Sequence, residues 1–236
     1  MNKVCFKPQE PVNGYKESIG LVGELIEAMK KYLPDDFEAL RNSKEVYGFS
    51  LHLACIQNVS LDSLSGDEKR IFFINLYNSL ILYAHIKFTP PTSAMEKRLM
   101  YEHCYVYMNK KKYSIQDVEN EVLKLATKED PMIYFCLSDG TNSTPATFLF
   151  STENYDATKT FAARHFLARS LVFSASNYEI QYPRIVQRLW KDLKLEKADL
   201  LKIITPYLST DRRKEIEEIT ELGQEFDIKF LPYSYT

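Results

Sequence analysis

The chain has 236 residues, 45% of them hydrophobic and 13% aromatic, enough apolar material to bury a sizeable core and to exclude a wholly disordered protein. Its 30 Lys and Arg against 32 Asp and Glu leave a formal charge of -2, so no global field recruits nucleic acid or an acidic membrane surface. The four cysteines, Cys5, Cys55, Cys104 and Cys136, lie far apart with no CxxC pair and no Cys/His spacing suited to zinc; neither metal nor cofactor is expected.

No apolar core of signal length precedes Tyr15, and no apolar run approaches the ~20 residues that span a bilayer. Reduced thiols and a cytoplasmic location are therefore expected. No Gly, Pro or Ser-rich stretch divides the chain, so residues 1–14 read as an N-terminal tail and residues 15–236 as one globular domain.

In chain order, Ile19, Leu21, Val22, Leu25, Ile26 and Met29 share one helical face, opposite Glu17, Glu24, Lys30 and Lys31. That spacing predicts an amphipathic helix over 18–32, stopped by Pro34. A second helix is expected within 43–60 on Val46, Phe49, Leu53 and Ile56, although Gly48 weakens it. Residues 67–88 differ, because Ile71 to Ile74, Leu76, Tyr77 and Leu80 to Tyr83 are apolar nearly all round the helix. Such a pattern marks a buried central helix, too long for a strand and bounded by Ser65-Gly66 and Thr89-Pro90-Pro91.

Residues 104–108 and 112–114 flank Asn109-Lys110-Lys111 and predict a β-hairpin, though the turn lacks the favoured glycine. The run Lys110-Lys111-Lys112 reads as a solvated turn and not as a phosphate site. Ser114 followed by Asp117 resembles a capping arrangement, opening a helix that turns Ile115, Val118, Val122, Leu123 and Leu125 to the core. Residues 132–137 predict a short buried strand, and 138–145 have the composition of a loop, a place where function often resides. Helices are expected over 154–172, 183–193, 198–208 and 211–222, with strands over 178–182 and 226–231. Together these define an α+β fold, helix-rich, with a small, mostly antiparallel sheet packed on the buried central helix.

Asn75 and Asn78, three positions apart, share a face of the central helix among apolar neighbours. An unsatisfied buried amide costs about 1–3 kcal/mol, so both need partners. A helix-to-loop clamp and a functional site each satisfy that requirement. In the 138–145 loop, Ser138, Asp139 and Ser143 offer hydroxyls and a carboxylate, but no Gly-x-Ser-x-Gly turn is present, and an Asx-turn on Asp139 explains the composition without a reaction. Cys136 shares a face with Tyr134 and reads as inert core. His165, beside Arg164, is expected to face solvent, while His52 and His85 look structural and His103 and Cys104 would point oppositely in an extended chain. Glu119 and Glu121 show no pairing that marks a glycosidase.

The block Arg70-Ile71-Phe72-Phe73-Ile74-Asn75-Leu76-Tyr77-Asn78-Ser79-Leu80, with Tyr113 to Glu119 and the ending Ile228 to Tyr233, resembles the domain of unknown function 547 family over roughly residues 47–235. The resemblance implies a fold distantly related to papain-like and transglutaminase-like cysteine enzymes. In those enzymes a thiolate at a helix N-terminus attacks an amide carbonyl while a nearby His carries the proton. It also implies a His where Tyr134 stands, a Cys near Asp139 and a second Cys where Thr144 precedes Pro145, so all three reactive positions are altered here. A phenol titrating near pH ~10 is a poor substitute for imidazole, and a carboxylate is a poorer amide nucleophile than a thiolate.

The reading that follows is a noncatalytic domain that binds a protein or peptide, with Asn75, Tyr77, Asn78, Tyr134, Asp139 and Ser143 lining or bracing the old cleft. One rival is a cysteine-dependent amide hydrolase or acyl transferase whose nucleophile moved to Cys104 or Cys136, with His103 or His165 as base. Another is a helical scaffold segment of a larger assembly.

Overall fold

The computed structural model describes residues 12–33 and 36–235. They fall into two compact units, one drawn from the described residues up to Leu125 with Leu149–Tyr155 and the other from Ala126–Phe148 with the described residues from Asp156 onward.

The first unit begins with α1 (Gly14–Tyr32), which buries Leu21, Val22 and Leu25. It starts earlier than its apolar stripe, because Asn13 caps it by accepting from Lys16 N at 3.1 Å. Val12 forms a parallel bridge with Val59, so the chain is already paired at residues expected to belong to the tail. Gly14 permits this approach, since a Cβ there would lie 2.5 Å from Val59 Cγ1. Residues 1–11 of the expected tail, Cys5 among them, and the Pro34 stop lie outside the described residues.

The short α2 (Phe37–Asn42), capped by Asp36, carries too few residues for a periodic signal. α3 (Lys44–Cys55) ends five residues before its expected limit of residue 60, and 3-10 turns follow at Ile56–Asn58 and Leu61–Ser63. Gly48 sits on its exposed side, where a Cβ would find nothing within 4 Å, so the glycine leaves no gap in the packing. α4 (Gly66–Lys87) is the buried central helix: every residue from Ile71 to Ala84 is buried, and Ser65 and Glu68 close a capping box at its start. α1 packs along it.

α5 (Ala94–His103) escaped the sequence pattern because only Met100 and Tyr101 are buried while Met95 and Leu99 are exposed. β1 (Tyr105–Met108) and β2 (Lys111–Ser114) form the expected antiparallel hairpin, with Val106 and Met108 inward. Its turn is two residues long, Asn109 and Lys110 both adopting positive φ (44° and 63°), the conformations that a tight hairpin turn demands even without glycine. The Ser114–Asp117 capping box then opens α6 (Ile115–Leu123), which packs on α4 and buries Ile115, Val118 and Val122. Leu123 is only half-buried, and Leu125 lies beyond the helix end.

In the second unit, the expected strand over 132–137 is instead a 3-10 helix, Pro131–Cys136. All six of its residues are buried, so alternation is absent and a short apolar run cannot separate the two conformations. α7 (Tyr155–Ser170) follows at the boundary and ends two residues short of its expected limit, giving way to β3 (Val172–Ser174). β3 pairs antiparallel with β4 (Glu179–Tyr182), and β4 pairs parallel with β5 (Asp227–Phe230). A parallel pair needs a long crossover, here supplied by α8 (Arg184–Asp192), α9 (Lys197–Ile204) and α10 (Thr210–Glu221).

The fold is thus α+β and helix-rich, with two small sheets among the described residues, one of them mixed, where a single sheet was expected. Among the described residues no helix is long and apolar enough to cross a membrane, and no group of three or more His, Cys, Asp or Glu is gathered to hold a metal.

Candidate functional site

The six candidate residues divide between the units. Asn75, Tyr77 and Asn78 belong to the first. Because α4 is buried on every side, its polar groups must find protein partners. Asn75 makes a two-point clamp on Phe150: Nδ2 donates to Phe150 O at 2.9 Å, and Phe150 N donates to Oδ1 at 3.2 Å. The clamp holds the Leu149–Tyr155 segment to the helix, so Asn75 fulfils the first of its two expected roles. Tyr77 places its hydroxyl 2.6 Å from that of Tyr101 and donates to Glu119 Oε1 at 3.4 Å, while Gln116 Nε2 donates to the second Glu119 oxygen at 3.1 Å. Asn78 is fully buried beside them in sequence. Asn75 and Tyr77 thus direct their polar atoms to partners inside the first unit.

Tyr134, Asp139 and Ser143 belong to the second unit. Tyr134, on the 3-10 helix, donates its phenol to Asp192 Oδ2 at 3.0 Å, and Asp192 also lies 3.6 Å from Arg188 Nε. Asp139 organises the loop. Its Oδ1 accepts from Thr141 N at 3.1 Å and from the hydroxyls of Thr141 and Thr144, each at 2.7 Å. The N–H to carboxylate bond is the Asx-turn expected from the sequence. Thr144 Oγ1 in turn accepts from Asp139 N at 3.0 Å, and Arg169 donates to Thr144 O at 3.0 Å.

The other Asp139 oxygen, Oδ2, receives the hydroxyl of Tyr233 at 2.5 Å. Thr141 Oγ1 lies 3.2 Å from the same phenol and shares its proton between that oxygen and Asp139 Oδ1. Burial, then the neighbouring Asp139 charge, pushes the Tyr233 phenol well above its ordinary value, so it remains a proton donor. Ser143 completes the contact, accepting from Ser234 N at 2.6 Å and donating to Ser234 O at 3.2 Å. The loop therefore grips the Tyr233–Ser234 segment.

Two of the described thiols are shifted away from the thiolate. Burial pushes the Cys104 thiol up, and burial together with Glu17 pushes Cys55 up, whereas a nucleophilic cysteine requires a lowered value. Cys136 is buried, as expected from the sequence. His165 is exposed and stacks on Phe161 at 5.8 Å. His52 bridges α3 to α1, with Glu17 at 2.5 Å and Glu24 at 2.9 Å, a structural role. His103 and Cys104 both line a groove of about 610 Å³ with Phe88, Pro91, Glu96 and Met100. Glu96 is committed there to the backbone and hydroxyl of Thr92.

Sequence reasoning missed Thr141, Thr144, Tyr233, Ser234 and Asp192 as partners. The ending that contains Tyr233 is visible as a block, but no periodicity joins it to a loop some ninety positions earlier.

The family model described as "Protein of unknown function, DUF547" matches residues 61–167, a span that contains all six candidate residues. Neither the curated proteins nor the solved structures contain a match to the chain.

Proposed function

We propose that the chain is a noncatalytic protein- or peptide-binding domain, derived from a papain-like or transglutaminase-like scaffold, whose binding element is the 138–145 loop. One observation carries this reading: the loop already holds a piece of polypeptide, Tyr233–Ser234, through a side-chain carboxylate and a hydroxyl that pairs with backbone N–H and C=O. Peptide recognition generally combines these two elements, main-chain bonds for affinity and a side-chain contact for specificity. The substituted reactive positions support it as well. Tyr134, Asp139 and Thr144 each spend their polar atoms on internal hydrogen bonds. Cys55, Cys104 and Cys136 remain thiols, which accords with a reducing, cytoplasmic setting.

Selection of random peptides on the immobilised full chain tests the proposal. Enriched peptides whose affinity falls about tenfold or more in Asp139→Asn or Ser143→Ala chains, with circular dichroism unchanged, are the expected result. Absence of enrichment, or enrichment indifferent to both substitutions, refutes it.

A second reading, a cysteine-dependent amide hydrolase or acyl transferase, draws on the shared groove of His103 and Cys104. The raised Cys104 thiol opposes it.

A further inference from the structure

We infer that the 138–145 loop recognises a tyrosine followed by a residue that offers its main-chain N–H and C=O in a partner protein, and that the chain's own Tyr233–Ser234 is a resident competitor for that site. The inference rests on the peptide-binding reading above and specifies its ligand.

The specificity lies in the phenol oxygen. It donates to Asp139 Oδ2 at 2.5 Å and accepts from Thr141 Oγ1 at 3.2 Å, so both of its hydrogen-bonding roles are used. Phenylalanine offers neither role and would leave a buried carboxylate oxygen without this donor. Asp139 itself is only 4% exposed, so loss of the phenol donor to its second oxygen is costly. One residue further on, Ser143 reads only main-chain groups, the N–H and C=O of Ser234, and imposes no demand on that side chain. The motif is a tyrosine and then any residue whose main-chain N–H and C=O can reach Ser143.

The resident segment is built for release. The ladder with β4 continues one step past β5, where Leu231 N donates to Tyr182 O at 2.8 Å. Pro232 then has no N–H to continue it and is exposed. Beyond it Tyr233, Ser234 and Tyr235 form no regular structure and are only half-buried, lying over the loop. Because the segment is tethered, it competes at a high effective concentration and masks the site from weak external ligands. A partner gains entry by displacing residues 233–235, without disturbing the sheet.

The test uses the full chain and a fluorescent peptide, Phe-Leu-Pro-Tyr-Ser-Tyr, together with its Phe-Leu-Pro-Phe-Ser-Tyr counterpart, read by anisotropy. Replacing Tyr233 by Ala removes the competitor's charge-assisted bond, so the Tyr233→Ala chain is expected to bind the tyrosine peptide at least about tenfold more tightly than the unaltered chain. The phenylalanine peptide is expected to bind that chain about tenfold or more weakly than the tyrosine peptide. This comparison changes the ligand and not the protein, so it holds even if loop substitutions disturb folding.

Equal binding of the two peptides, or equal binding by the two chains, overturns the inference. If selected peptides without tyrosine bind in a loop-dependent way while the tyrosine peptide does not, this inference falls and the peptide-binding reading stands. If no peptide binds either chain, both fall. A wild-type dimer held by exchanged segments around Tyr233, seen by light scattering, would give the site to a second copy and overturn the separate partner.

Discussion

Replacing Asn75 by Ala tests how the buried central helix is tied to the rest of its unit. The Asn75 amide is the partner of both polar backbone groups of Phe150, a residue with no exposed surface. Truncation would leave a buried N–H and a buried C=O without their amide partner. At about 1–3 kcal/mol for each unsatisfied group, the loss is about 2–6 kcal/mol, a large share of the ~5–15 kcal/mol that stabilises a typical protein. Ser79 lies four positions on in the same helix and is an internal control, since its buried hydroxyl has no hydrogen-bond partner among the described residues. Ser79→Ala is therefore expected to lie within about 0.5 kcal/mol of the parent or to stabilise it. Urea unfolding followed by far-UV circular dichroism gives both values from midpoints at unchanged slope. A loss below about 1 kcal/mol in Asn75→Ala, or an equal loss in Ser79→Ala, would refute the clamp.

Other expectations rest on the same geometry. Tyr182 buries a hydroxyl without a partner among the described residues, and burial pushes its phenol well up, so Tyr182→Phe should raise stability by about 1 kcal/mol; a lowered melting midpoint would count against this. Gly14→Ala should cost about 1–3 kcal/mol, because the new Cβ falls 2.5 Å from Val59 Cγ1, whereas Gly66→Ala, with nothing within 4 Å, should change little; equal midpoints for the two would contradict the packing. The phenols of Tyr182 and Tyr233 are both raised in the folded chain, so their contribution is complete below the unfolded value near pH ~10 and is lost as pH rises toward the folded values. Urea midpoints should fall above pH ~10, less steeply in Tyr182→Phe; identical slopes in the two proteins over that range would refute the assignment.

The central helix, the hairpin and the Asx-turn of Asp139 were legible because each rests on local chemistry: an all-round apolar run, two short β segments about a turn, and a carboxylate two positions before an N–H. α5 was not, since a helix that buries only Met100 and Tyr101 presents no stripe. Residues 132–137 resemble a strand in sequence, whereas 131–136 form a 3-10 helix, because complete burial erases the periodicity that separates the two. For the site, Asn75 was recognisable as a group that needs partners, but which partner it takes is a matter of tertiary placement. The pairing of Asp139 with Tyr233 lay beyond reach for the same reason: both residues were in view, and nothing local joins them.

The most direct test of the noncatalytic reading is the iodoacetamide labelling rate of each cysteine in the folded chain near neutral pH, resolved by mass spectrometry. Burial that raises Cys55 and Cys104, and encloses Cys136, should make all three react more slowly than cysteine in an unstructured peptide. Labelling of one of them faster than that peptide, abolished by replacing a single histidine such as His103, would contradict the account and establish an activated thiol.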